Sequence, residues 1–359
     1  MKQLFLDANA HVPINPKALK AYMEFATSPA GHGHPSSLSE PGRLAATAIE
    51  EARAKIAFLI GAKSANQIIF TANCTQACEW GLEIFFQLDQ SDIICSPIEH
   101  SAVKEAFEKI YQRTYKSEPE YMAVGPDGLV DRSTEYQKMS CIHMQNEIGV
   151  IQPLKEFKRK FMFSDMSQSL GKVGLNVSDI GVDIAVFGAH KFGGPGSVGF
   201  IYLKDPTWWR AFGTGSRYFM DRPGTPDVAG IVASAVALED AIDTLSERQK
   251  NMIMFQKTVE KGLKAMGHKI VAEYSPRAWN TTFVNVPSQA MVAIMKLGEK
   301  GIHLGLGSAC GSMHAGASPL MKVLGKSGTV HDYLRISQWG EYDEMDAIHF
   351  LNIFNSLDL

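Results

Sequence analysis

The stretch VFGAHKFGGPGSVGF, residues 186–200, places His190 and Lys191 between an apolar run and a turn rich in glycine. An apolar run of this length predicts a buried β-strand, and the glycines predict that the chain turns directly after it. A lysine at the mouth of an apolar pocket loses solvation, which lowers the pKa of its amine and makes the amine nucleophilic. We therefore expect Lys191 to do chemistry at the end of a strand.

The same order of apolar run and polar turn recurs along the first half of the chain, in residues 68–75, 93–100, 140–146 and 162–168, with amphipathic stretches between several of them. Strands that alternate with helices predict a mostly parallel sheet flanked by helices, which is an α/β fold. The carboxyl ends of parallel strands face one ligand crevice. The polar residues at these ends should therefore form one site: Thr75, His100, Asn146, Asp165, Gln168, His190 and Lys191.

The pattern changes after about residue 245. A long helical stretch comes first, and shorter strands follow at KIVAEY and TTFVNV, with a helix-like segment after them. This order predicts a smaller α+β unit that the N-terminal segment joins. We predict a large cofactor-binding domain at 14–245 and a small domain made of 1–13 with 246–359.

The composition excludes several classes of protein. The chain has 359 residues, 45% of them hydrophobic and 20% charged, and a net charge of −3, which is typical of a globular protein without a basic stripe for nucleic acid. No apolar run approaches the ~20 residues of a membrane helix, and the N-terminal apolar run Leu4–Leu6 is too short for the core of a signal peptide. The five cysteines include no CxxC pair, so we expect no disulfide framework and no metal site. These features predict a cytoplasmic protein that contacts neither membrane nor nucleic acid.

Lys191 and Asp165 each follow a predicted strand, and together they allow two interpretations. The pair could be an ion pair at the edge of a sheet. It could also serve pyridoxal phosphate, with Lys191 binding the aldehyde and Asp165 holding the protonated pyridine nitrogen, so that the cofactor acts as an electron sink. The turn TANCTQ, residues 71–76, favours the cofactor because a strand-to-helix turn offers free N–H groups to a phosphate. Thr75 could cap this helix and bind the phosphate as well.

Several motifs now indicate a family. The chain resembles the cysteine desulfurases, members of the class V aminotransferase group of pyridoxal-phosphate enzymes. The resemblance covers residues 4 to about 340 and implies the aspartate aminotransferase-like fold, fold type I. Its motifs are LDANAHVPINP, MQNEIGVIQPL, FSDMSQSLGK, AHKFGGPGSVG, RPGTPDV and GSACGSM.

The resemblance implies a role for each site residue. Lys191 would carry the cofactor and shuttle the proton of the substrate's α-carbon, and His100 would stack on the ring and assist proton transfer. Gln168 would hydrogen-bond the phenolic oxygen, and Asp165 would hold the ring nitrogen. The other implied residues bind the phosphate (Thr75, Cys74, His190 and, from a second subunit, Thr225) or the substrate carboxylate (Asn146 and Arg335). A homodimer follows from the role of Thr225.

Cys310 determines which reaction the resemblance implies. Its thiolate would take the sulfur of L-cysteine as a persulfide, leave L-alanine, and pass the sulfur to an acceptor protein. The alternative is that Cys310 is an inert core cysteine, although its sequence neighbours Ser308, Gly311 and Ser312 are not the apolar residues typical of a core. An aminotransferase or selenocysteine lyase remains a second interpretation. A binding or regulatory homologue is a third, because the family usually has Ser where this chain has Gly188, which predicts weaker phosphate binding.

Overall fold

The computed structural model describes residues 2–212, 224–307 and 319–357. Its strands, numbered in chain order, are β1 (Leu4–Leu6), β2 (Ile68–Thr71), β3 (Ile93–Cys95), β4 (Tyr136–Ser140), β5 (Arg159–Asp165), β6 (Ile184–Gly188), β7 (Gly199–Leu203), β8 (Lys269–Ile270), β9 (Thr281–Asn285), β10 (Ile302–Leu304) and β11 (Tyr333–Ser337). Its α-helices are α1 (Pro16–Thr27), α2 (Glu40–Leu59), α3 (Cys74–Gln87), α4 (Ser101–Tyr115), α5 (Val177–Ile180), α6 (Thr207–Phe212), α7 (Val228–Asp243), α8 (Leu245–Ala265), α9 (Ala290–Glu299), α10 (Pro319–Val323) and α11 (Glu344–Asn355).

The central sheet of the described residues has six strands in the order β2-β7-β6-β5-β4-β3. Strands β3 to β6 pair in parallel, whereas β7 runs antiparallel to β6 and β2. The predicted α/β fold with a mostly parallel sheet is therefore confirmed. Among the described helices, none combines the length and apolar character that crossing a bilayer demands.

Strand β7 was not foreseen in the sequence. The glycine-rich turn after Lys191 reverses the chain, with Gly193 at φ +90°, and leads it back between β2 and β6. A Cβ atom on Gly199, the first residue of β7, would lie 2.4 Å from the carbonyl oxygen of Asn73. The glycines therefore let the turn before α3 pack directly against β7, beside the lysine.

The two faces of the central sheet are covered by different helices. Along β6, Ile184 and Val186 join a buried cluster with α3 and α4, while Ala185 and Phe187 join another with α2 and α7. Successive strand side chains point to opposite faces, so a strand buried on both sides reads as a continuous apolar run. This is why β6 was recognisable in the sequence.

Strand β4 lies earlier than predicted. The sequence placed a strand at the start of residues 140–146, but β4 spans Tyr136–Ser140. Lys138 in its middle is fully buried, and its Nζ donates hydrogen bonds to the backbone oxygens of Asp89 (2.8 Å) and Phe86 (3.4 Å). A buried lysine interrupts the apolar pattern that marks a strand, which explains the error.

The remaining strands form two smaller sheets. One is antiparallel, in the order β11-β9-β8, and the other pairs β1 with β10 in parallel. Leu4 and Leu6 of β1 are buried in a cluster with residues of α8, α9 and α11. The segment KIVAEY forms only the two-residue strand β8. The division into domains at residues 13 and 245 stays a prediction.

Candidate active site

One cavity of about 240 Å³ lies at the carboxyl ends of the parallel strands. It gathers the polar strand-end residues that the sequence predicted to meet, as parallel topology requires. It is lined by Asn9, Ala10, Cys74, Thr75, His100, Ala102, Ile142, Asn146, Asp165, Ser167, Gln168, His190, Lys191 and Arg335.

A short 3₁₀ turn, Ala189–Lys191, follows β6, and Lys191 is its last residue. Its Nζ donates hydrogen bonds to the backbone oxygens of Asn9 and Ala10, each at 2.8 Å. Burial, followed by the positive charge of Arg335, lowers the pKa of Lys191 to about 8. The amine is therefore partly deprotonated near neutral pH, as a nucleophile for a carbonyl carbon requires.

Asp165 ends β5 and is 6% exposed. Its Oδ1 accepts a hydrogen bond from the backbone N–H of Ser167 at 2.9 Å. Gln168, one turn later, is also 6% exposed and donates from Nε2 to the backbone oxygen of Asn9 at 2.8 Å. The carboxylate and the amide thus reach the cavity from the same tight turn after one strand.

His100 is the N-cap residue of α4. Its Nδ1 accepts a hydrogen bond from the backbone N–H of Ala102 at 3.2 Å, so a neutral ring carries its proton on Nε2. Burial lowers the pKa of His100, and the charge of Asp165 acts in the opposite direction. The ring is therefore neutral at pH 7 and can accept or return a proton.

The N-terminus of α3 forms another wall of the cavity. Asn73 caps the helix by accepting the N–H of Gln76 at 2.9 Å, which leaves the N–H groups of Cys74 and Thr75 without acceptors inside the helix. The Cys74 sulfur lies 3.0 Å from the hydroxyl oxygen of Ser167. Free N–H groups and the positive end of the helix dipole make this wall suitable for a phosphate.

His190 precedes Lys191 and stacks on His11, with the ring centroids 5.7 Å apart. Burial, with a smaller effect of the Lys191 charge, lowers the pKa of His190 to about 3. The ring is thus neutral throughout the physiological range. A neutral imidazole can still donate one hydrogen bond to an anion.

Arg335 enters the cavity from β11 and is 2% exposed. Its Nη2 donates to Oδ1 of Asp7 at 2.7 Å and its Nη1 to the backbone oxygen of Asn146 at 3.3 Å. Nε is buried and has no acceptor among the described residues. Each terminal nitrogen keeps a second N–H, so the guanidinium can still bind a carboxylate.

The chain as a whole matches a known protein family. A family model for class-V aminotransferases matches residues 4–349, nearly the whole chain. The chain belongs to the class-V aminotransferase family.

The relatives that match this chain include cysteine desulfurases and a NifS-like protein of known structure. The chain is 30% identical over 347 residues to the cysteine desulfurase IscS of Dictyoglomus turgidum, covering 90% of this chain and 86% of that protein. It is 28% identical over 362 residues to IscS of Methanosarcina thermophila, covering 94% and 87% of the two chains. A solved NifS-like protein superposes with a TM-score of 0.85 at 25% identity, over 99% of both chains.

The structure does not place two predicted site residues of this family member in the cavity. Thr225 is exposed just before α7 and is not among the residues that line the cavity. Cys310 lies outside the described residues. The assignment of both residues to the active site stays a prediction.

Sequence reasoning missed several residues of the site. Asn9, Ala10 and Ser167 line the cavity, although none had been given a role. Asn9 is 1% exposed, and its backbone oxygen accepts from both Gln168 and Lys191. The motif LDANAHVPINP contained Asn9, but no local pattern connects it to a lysine 182 positions away.

Proposed function

We propose that this protein is a pyridoxal-phosphate-dependent cysteine desulfurase, which converts L-cysteine into L-alanine and transfers the sulfur as a persulfide. The observation that carries the proposal is the lowered pKa of Lys191, about 8, in a cavity that Asp165, His100 and Arg335 also line. The desulfurase relatives support cysteine as the substrate.

The donors and acceptors of the cavity fit this cofactor and substrate. The free N–H groups at Cys74 and Thr75 suit a phosphate, and the buried Nε of Arg335 still needs an acceptor. Asp165 supplies a carboxylate for a protonated ring nitrogen, and Lys191 supplies an amine for an aldehyde. An ion pair at a sheet edge would not explain why anion-binding groups surround the lysine.

Each side chain would hold one part of the cofactor. Lys191 Nζ would bind the aldehyde carbon, and Asp165 would bind the ring nitrogen. Gln168 would donate to the phenolic oxygen. The phosphate would lie at the N-terminus of α3 with Cys74, Thr75 and His190, and His100 would stack on the ring.

Proton transfer would fall to two groups of this chain. The cofactor, when bound, withdraws electrons from the substrate's α-carbon and so weakens its C–H bond. Lys191 Nζ, once the substrate has freed it from the aldehyde, would take the α-proton, for which an amine with a pKa of about 8 is well matched near neutral pH. His100, neutral because of its burial, can hold or return a second proton.

Arg335 and Asn146 would bind the substrate carboxylate. The ion pair of Arg335 with Asp7 and its bond to the Asn146 backbone hold the guanidinium plane in one orientation before substrate arrives. A planar guanidinium binds a carboxylate through two parallel hydrogen bonds, which a lysine cannot reproduce.

Cys310 would perform the sulfur transfer. Its thiolate attacks the sulfur of the bound cysteine, and the C–S bond of the substrate breaks. The electron pair of that bond stays with the carbon, which takes up a proton and becomes the methyl group of alanine. The sulfur remains on Cys310 as a persulfide, from which an acceptor protein takes it.

We also propose that the protein is a homodimer and that it works in the cytoplasm. Thr225 is exposed and does not line the cavity of its own chain, which is compatible with a role in the phosphate site of a second subunit. The thiol of Cys310 stays reduced, and so able to attack sulfur, in a reducing compartment such as the cytoplasm.

The test is incubation of purified, cofactor-loaded protein with L-cysteine, measuring alanine and sulfide together. We expect wild type to form both, and Cys310→Ser and Lys191→Ala to lose nearly all activity. Unchanged alanine formation in Cys310→Ser would exclude the persulfide route. Transfer of the amino group to a keto acid instead would indicate an aminotransferase, and absence of bound cofactor would indicate a binding protein.

A further inference from the structure

Lys172 lies behind the cavity, four residues after Gln168, and is 2% exposed. Its Nζ donates to Oε1 of Gln168 at 2.5 Å and to Oδ1 of Asn9 at 3.0 Å. Both of these acceptors are side-chain amide oxygens. Burial, and then the charge of Lys191, hold the pKa of Lys172 well below its usual range. An amine is costly to bury, and an apolar side chain would fill the same space at lower cost.

The hydrogen bonds of Lys172 close a network that reaches the cavity. Gln168 Nε2 and Lys191 Nζ both donate to the backbone oxygen of Asn9, each at 2.8 Å. The side chain of Asn9 is held in turn by Asn280, whose Nδ2 donates to its Oδ1 at 2.9 Å. Lys172 therefore contacts Gln168 directly, and it contacts the side chain of Asn9, whose backbone oxygen holds both Gln168 and Lys191.

This network permits only one orientation of the Gln168 amide. With Oε1 towards Lys172 and Nε2 towards the Asn9 carbonyl, each donor meets an acceptor. A flipped amide would place its NH2 group against the amine of Lys172 and its oxygen against a carbonyl oxygen. The Asn9 carbonyl has only lone pairs, so the flipped amide would lose its hydrogen bond to Asn9, and the N–H of Lys172 that binds Oε1 would lose its acceptor.

We propose that Lys172 is a positioning residue, which fixes the Gln168 amide so that its second N–H is presented to the cavity. The inference rests on the proposed function, in which that N–H binds the phenolic oxygen of the cofactor. Without Lys172, only the hydrogen bond to the Asn9 carbonyl would oppose a flip of the amide. A flipped amide would turn its oxygen towards the anionic ring oxygen, where it would repel rather than bind.

The first test compares Lys172→Met with Lys138→Met. Both substitutions remove the amine of a buried lysine at similar volume, but Lys138 donates to the backbone oxygens of Phe86 and Asp89 and does not line the cavity. We expect Lys172→Met to bind pyridoxal phosphate about tenfold more weakly, as loss of one hydrogen bond predicts, and to shift the absorption maximum of the bound cofactor. Lys138→Met should leave affinity and spectrum unchanged.

The second test asks whether Lys172 acts through Gln168. In a Gln168→Ala background, Lys172→Met should change neither the spectrum nor the affinity further. An equal effect in both backgrounds would overturn the proposal, as would a Lys172→Met protein with wild-type affinity and spectrum.

The third test does not depend on the cofactor. In cofactor-free protein labelled with ¹⁵N-glutamine, the side-chain amide signals of Gln168 are identified by their loss in Gln168→Ala. We expect these signals to shift or broaden in Lys172→Met and to stay unchanged in Lys138→Met. Unchanged signals in Lys172→Met would overturn the positioning role, whereas a wild-type protein that binds no pyridoxal phosphate would overturn only the proposed function.

Discussion

At the scale of single residues, the lowered pKa of Lys191 predicts how its reaction with an amine reagent depends on pH. The pKa of Lys191 is lowered to about 8, first by burial and then by Arg335, because a buried cation is disfavoured. Labelling of Lys191 by an amine reagent in cofactor-free protein should therefore be half-maximal near pH 8. Exposed lysines, which titrate near pH ~10.4, serve as controls in the same digest. Mass spectrometry gives the profile, and a Lys191 midpoint equal to that of the exposed lysines would contradict the lowered pKa.

Gly188 is a second residue whose substitution tests the site. A Cβ atom added there would lie 2.9 Å from Cβ of Cys74 and 3.0 Å from the ring of His190. We expect Gly188→Ala to displace the phosphate-binding wall, to destabilise the protein by about 1–3 kcal/mol, and to weaken pyridoxal phosphate binding.

Two further variants control this experiment. Cys74→Gly in the Gly188→Ala background removes the nearest obstructing atom and should restore part of the affinity. Gly174→Ala is the matched control, because a Cβ atom at Gly174 would meet nothing within 4 Å. Equal losses of affinity in Gly174→Ala and Gly188→Ala would refute the steric explanation.

At the scale of elements, the N-terminus of α3 has both a structural and a binding role. Asn73 caps this helix, and Asn176 caps α5 in the same way, by accepting the N–H of Asp179 at 3.0 Å. Asn73→Ala and Asn176→Ala should each lower the free energy of unfolding by about 1 kcal/mol, measured by chemical denaturation of cofactor-free protein. Only Asn73→Ala should also weaken pyridoxal phosphate binding, since α3 begins at the cavity and α5 does not. A similar loss of affinity in Asn176→Ala would argue against a phosphate site at α3.

The site follows from how the elements are connected. Strands β5 and β6 are parallel neighbours, so the residues that follow them, Asp165 and Lys191, meet at one edge of the sheet. The return strand β7 needs Gly199 beside Asn73, which brings the α3 turn against the same edge. The glycine-rich turn therefore positions Lys191 and also allows the phosphate wall to approach it.

At the scale of the whole molecule, the proposed role of Thr225 predicts that each active site contains residues of both subunits. Dimers that combine one Lys191→Ala subunit with one Thr225→Ala subunit would contain one intact site if Thr225 acts on the neighbouring subunit. We expect such mixed dimers to recover about half the wild-type activity at limiting pyridoxal phosphate, while each parental homodimer is impaired. Activity measured on tagged, co-expressed dimers checks this. No recovery would mean that Thr225 acts within its own chain, and an unimpaired Thr225→Ala homodimer would mean that Thr225 has no role in the site.

Much of this protein was determined by local sequence patterns. The fully apolar strand β6, the amphipathic helix α2 and the polar residues at successive strand ends were sufficient to predict an α/β fold and one site containing Asp165, His100 and Lys191. These features are readable because burial on both faces, helical periodicity and parallel topology each leave a local pattern. Strand β4 was misplaced because its buried Lys138 breaks that pattern.

Only the tertiary structure decided what surrounds the lysine. Four contacts depend on how the N-terminal segment packs against the rest of the chain: the bonds from Lys191 to the carbonyls of Asn9 and Ala10, the ion pair between Asp7 and Arg335, and the bond from Lys172 to Asn9. Three of these four contacts join residues more than 180 positions apart. The sequence by itself determined which chemical groups are present and at which strand ends. Packing determined their partners, since hydrogen bonds between distant residues form only when folding brings them together and leave no local pattern.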